Sequence, residues 1–107
     1  MREDKFMAFL EQSNQITSKN KAVRSRISRA IVAETILNNS LDYIVTDDDR
    51  MYEALMRIGE DPREKNGNIQ NAVRWYYKFV NGKEFPRLAF YALRNEGLHE
   101  NDITFSL

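Results

Sequence analysis

The chain has 107 residues, enough for one domain around one core and too few for two of ordinary size. Sixteen basic residues balance sixteen acidic ones, so net charge gives no ground for a polyanion partner, and any such argument has to rest on how the charge is distributed. The absence of cysteine excludes disulfides and thiolate metal sites, while 42% apolar residues with four glycines and two prolines favour helices over a turn-rich sheet.

A first helix is expected from about Asp4 to Ser13, because Phe6, Phe9 and Leu10 recur at helical spacing. After a polar connector containing Ile16, Thr17 or Ser18 can cap a second and longest helix running to about Leu37, with Val23, Ile27, Ala30, Ile31 and Leu37 on its apolar side and Asn38 and Asn39 ending it. The cluster Leu41, Tyr43, Ile44 and Val45 is too short to assign, and is either a helical turn or an extended connector. Thr46 and Asp47 offer a capping oxygen to a third helix bearing Met51, Leu55 and Ile58, and Asp48 and Asp49 suit its positive start. The polar stretch from Gly59 to Asn68 contains Pro62 and Gly67 and is where a hinge is expected.

A fourth helix is expected over Asn68 to Asn81, stopping at Gly82, with Ile69, Ala72, Val73, Tyr76 and Val80 inward. Phe85 and Pro86 are expected to start a fifth helix that stops at Gly97. The tail alternates Ile103, Phe105 and Leu107 with polar residues, as in a half-buried strand, and packs on its own core or pairs with the same arm of a second subunit. The expected fold is therefore all-α, a compact bundle of four to five helices over residues 3–97 with a short extended C-terminal arm, 98–107. No apolar run approaches the roughly 18 to 20 residues of a membrane span, and the first residues are charged, so the sequence reads as cytoplasmic, without membrane contact.

The order of these features resembles the N-terminal core-binding domain of tyrosine recombinases and phage integrases. Phe6, Phe9 and Leu10 resemble the F-x-x-F-L core of its first helix, a polar Ser/Thr turn precedes Val23 to Ile31, and the run from Asn71 to Val80 resembles its late helix. The resemblance covers residues 3 to about 87 and implies a SAM-like bundle that touches the phosphates of duplex DNA from its second and late helices. By position it implies Lys19, Lys21, Arg24 and Arg26 before and on the second helix, and Arg74, Lys78 and Lys83 on and after the fourth. The family's catalytic domain has no room here, and residues 88–107 have no counterpart in it.

The charge pattern points the same way, since five basic residues and no acid lie between Lys19 and Arg29. The bland alternative is a solvated helix face, and helical projection sets Arg26 nearly opposite Arg24, so the run cannot all face one duplex. Trp75, Tyr76, Tyr77 and Phe79 suit base stacking or, more ordinarily, packing. Asp47, Asp48 and Asp49 lack the alternating ligand positions of a calcium loop, and the sole histidine, His99, has no ligand set around it in sequence. With no phosphate loop and no nucleophile elbow, neither an enzyme nor a cofactor is expected.

Two functions follow as expectations. The first is a non-enzymatic DNA-binding accessory or regulatory protein of a mobile element, using the basic residues named above. The second is a protein-interaction module, an adaptor or an inhibitor of a nucleic-acid enzyme, anchored by Trp75, Tyr77, Phe90 and Tyr91, with Ile103 and Phe105 of the arm adding a strand or closing a homodimer.

Overall fold

Six helices make up the described part of the chain: α1 Glu3–Glu11, α2 Lys19–Leu37, α3 Leu41–Ile44, α4 Asp48–Gly59, α5 Asn68–Asn81 and α6 Leu88–Glu100. This computed structural model describes residues 1–17 and 19–100, and side chains throughout these except for Lys19 and residues 95–100. The expected all-α bundle is present, and no strand occurs among the described residues. The expected cap at Ser18 and the strand-like arm containing Ile103 and Phe105 lie outside them. No helix among the described residues is long and apolar enough to cross a membrane.

The ends of the helices follow local chemistry. Asp47 caps α4, its carboxylate accepting the N–H groups of Asp49 and Arg50 at 2.8 and 3.1 Å. Asn38, past the end of α2, is left-handed at φ 52°, and Gly82 closes α5 at φ 75° with its N–H on the Lys78 carbonyl at 2.9 Å. The cluster after α2 resolves into the short helix α3, capped by the Ser40 hydroxyl on the Asp42 N–H at 3.0 Å.

Two expectations about the last helix are corrected. It begins at Leu88 and runs through Gly97 to Glu100. Phe85 and Pro86 lie in the preceding connector, where proline disfavours a helical Phe85. The Arg74 guanidinium donates to both of their carbonyls, at 2.8 and 3.2 Å. A single glycine costs a helix only about 1 kcal/mol, too little by itself to end one at Gly97. The expected hinge between α4 and α5 is also stitched: the Asp61 carboxylate accepts three hydrogen bonds from Arg63, and Glu64 accepts the Ile69 and Gln70 N–H groups at 2.8 Å.

The core is one continuous cluster in which α2 and α5 form the largest interface. On α2 the buried line is Val23, Ile27, Ala30, Ala33 and Leu37, which leaves Ile31 on the outer side, exposed rather than inward as expected. Phe6 meets Tyr76 edge-on at 4.9 Å and joins α1 to α5. Three buried tyrosines bring hydroxyls that need partners, and each finds an aspartate in the first turn of a helix. Tyr76 donates to Asp42 of α3, Tyr77 to Asp48 of α4 at 2.8 Å, and Tyr91 to Asp49 of α4. The same Asp42 takes the Arg2 guanidinium at 3.0 Å and, with Glu34, faces the Met1 ammonium. Burial pushes the Asp42 carboxyl up, but the bonds from Tyr76 and Arg2 outweigh it and hold the group below its ordinary range.

Candidate nucleic-acid interface

The basic residues of α2 separate by face. Positions 21, 24, 25 and 28 fall opposite the buried line through Val23, Ile27 and Ala30. Lys21 and Arg24 are exposed there and, with Ser25, Ser28 and Arg29, form a shallow depression of about 490 Å³. Arg29 also borders a second depression, of about 290 Å³, shared with Arg63, Lys65 and Asn68 from the end of the α4–α5 loop and the start of α5. The two meet at Arg29 and contain no acidic side chain, so they make one continuous strip.

Lys21, Arg24, Arg29 and Lys65 have no carboxylate partner among the described residues. The nearby acids already have partners. Asp61 forks onto Arg63, whose hydrogen bonds hold its carboxyl below the ordinary range. Glu64 caps the first turn of α5, where the free N–H groups favour negative charge, and Gly67 has no side chain to do it. Glu34 accepts the Leu41 N–H at 2.9 Å.

The remaining sequence candidates divide differently. Arg26 is turned into the α2–α5 seam, 5.7 Å from the centre of the Trp75 ring, with one nitrogen on the Ala22 carbonyl at 3.1 Å and a buried Nε without a hydrogen-bond partner. Burial first and the charge of Arg29 second hold its guanidinium below the usual pKa. Arg74 clamps the α5–α6 connector, and its burial likewise lowers its pKa. Lys78 lies over Trp75 and reaches Gln15 at 3.0 Å and Glu84 at 3.5 Å. Lys83 is exposed past the end of α5 and borders neither depression, and the side chain of Lys19 lies outside the described residues.

The aromatic anchor expected for a protein partner is divided as well. Tyr77 is 1% exposed, and Tyr91 is buried against Tyr52, their rings stacked at 5.2 Å. Burial and the Asp48 carboxylate push the Tyr77 phenol up to about 12. Phe90 is exposed, and Trp75 is half-buried against Phe9. No cluster of three or more histidine or acidic side chains suited to a metal ion occurs among the described residues.

Of the basic run from Lys19 to Arg29, the strip contains Lys21, Arg24 and Arg29 and excludes Arg26, and it adds Lys65, which the sequence did not single out. Arg29 belonged to the same acid-free run and was legible from its spacing to Lys21, Ser25 and Ser28. Lys65 carried no signal, because only the packing of α5 against α2 brings its loop alongside Arg29. No protein-family model matches the chain, and neither curated proteins nor solved structures yield a match. The recombinase resemblance therefore rests on the residues alone.

Proposed function

We propose that the chain is a non-enzymatic module that binds the phosphate backbone of duplex DNA through the outer face of α2 and the Lys65 loop. The observation that carries this reading is the acid-free strip with four unpaired cations, Lys21, Arg24, Arg29 and Lys65. Like charges held side by side repel, and a polyanion relieves that repulsion while releasing its own condensed counterions. Contacts of this kind position a protein on a duplex without reading its bases, so discrimination between sequences is low. An accessory or regulatory place in a mobile element is what the recombinase resemblance adds.

The test is fluorescence anisotropy of a labelled duplex over a series of salt concentrations. Four phosphate contacts give a slope of log affinity against log salt of roughly −3 to −4, at about −0.9 per contact. Absence of binding at low salt, or binding indifferent to salt, sinks the proposal.

One observation favours the second reading, a protein-interaction module. Phe90 and Leu93 on α6 are 62% and 63% exposed, the most open of the large apolar side chains among the described residues. On that reading the chain self-associates through α6, and sedimentation finds a species heavier than one chain that Phe90→Ser with Leu93→Ser abolishes. A monomer at all concentrations removes it.

A further inference from the structure

A second hollow lies over α5, apart from the α2 strip. Asn71, Arg74, Trp75 and Lys78 recur at three- and four-residue spacing and share one face of that helix. Gln15 on one side and Glu84 with Phe85 on the other wall them in, enclosing about 320 Å³. That is the small end of ligand pockets, which run from roughly 300 to 1,000 Å³.

Of the four neighbouring aromatics, Tyr76 and Tyr77 are buried, and Phe79 packs between Phe6, Phe9 and Tyr76. Trp75 lines the hollow. Lys78 Nζ stands 5.2 Å from its ring centre, tethered only by exposed bonds to Gln15 and Glu84, which hold weakly against water. A flat ligand that displaces this ammonium from the ring keeps it as a counter-ion. Arg74 and Lys78 outnumber Glu84, so a cationic ligand is disfavoured, while the Gln15 and Asn71 amides each offer a donor and an acceptor to a polar edge.

We infer that this hollow takes one unpaired nucleotide of a nucleic-acid strand, its base stacked on Trp75, its edge met by Gln15 and Asn71, and its phosphate near Lys78. The inference rests on the reading of nucleic acid as the ligand and adds to it a preference for a single-stranded end or an extruded base beside a duplex.

Trp75 is the only tryptophan, so its fluorescence reports stacking without a label. The experiment titrates the full chain with a blunt duplex and with the same duplex carrying a single-stranded overhang, reading anisotropy and tryptophan emission together. The overhang is expected to bind roughly five- to a hundredfold tighter, the gain from stacking about one base, and alone to quench Trp75. Trp75→Leu removes the advantage. Because that ring also packs on Phe9, Gln15→Ala with Asn71→Ala serves as a second variant at exposed positions, and reduces the advantage several-fold with blunt-duplex affinity unchanged.

Equal affinities without quenching overturn the inference and leave the duplex reading standing. Quenching by the overhang with no binding of the blunt duplex supports it and removes the α2 reading. Adenosine monophosphate quenching as strongly as the overhang at equal concentration overturns the strand assignment in favour of a free nucleotide.

Discussion

The outer face of α2 and the first turn of α4 are both runs of like charge, and the fold treats them in opposite ways. At the start of α4, Asp47 caps the helix while Asp48 and Asp49 each accept a tyrosine hydroxyl brought from α5 and α6. Every carboxylate there has a partner, and the run holds three helices together. On α2, Lys21 and Arg24 face solvent, and Arg29 meets other cations, small polar groups and the apolar Val32 and Ile69, with no carboxylate among them. A charge run therefore has no functional meaning of its own. Its meaning is set by whether the neighbouring helices supply groups of opposite character.

The largest expected contrast comes from emptying the open run. Lys21→Ala, Arg24→Ala and Arg29→Ala combined should weaken duplex binding by at least about tenfold at low salt and flatten the salt slope by roughly three, with the thermal midpoint no lower, since the mutual repulsion of the cations is removed. Unchanged affinity in that folded variant would erase the distinction between the two regions. Next in size is the closed run: Asp47→Ala should lower stability by about 1 kcal/mol in urea denaturation, the usual loss for an N-cap, and leave DNA affinity alone.

Arg74→Ala tests whether a cation of the sequence pattern belongs to the closed class. It frees the carbonyls of Phe85 and Pro86 and should cost stability by about 1 kcal/mol, while changing blunt-duplex affinity far less than Arg24→Ala does. The last contrast is one of pH. The Tyr77 phenol, ordinarily near 10.0, titrates near 12 in the folded chain, so its contribution is complete below about 10 and fades as pH rises toward 12, where the unfolded chain has already released its proton. Tyr77→Phe should make the alkaline fall in stability shallower, and an unaltered profile would count against the Asp48 contact.

The sequence made α5 legible to its end residues, because Gly67 and Gly82 bracket it in left-handed conformations and its apolar period is regular. It left Leu41 to Val45 undecided, since four or five residues carry no period. It overrated Gly97 and Pro86 as punctuation, because one glycine costs a helix too little to end it and a connector held by Arg74 needs no helix. In the candidate site, Lys21 and Arg24 were legible from their position opposite the buried line. Helical projection already set Arg26 on a different face from Arg24, but that it is buried in the α2–α5 seam, and that Arg74 clamps a connector, was not legible, because a cation's freedom depends on which helix lies against it.

On the proposed DNA-binding reading, the cancellation of sixteen cations by sixteen anions has a kinetic consequence. A molecule without net charge is not drawn toward a polyanion from a distance; it must first rotate so that the α2 strip leads, and the strip is felt only within about 10 Å at 0.1 M salt. Encounters are then gated by orientation, and association is slower than for a uniformly basic protein with the same contacts. Such a molecule also avoids prolonged capture by anionic surfaces that its strip does not fit.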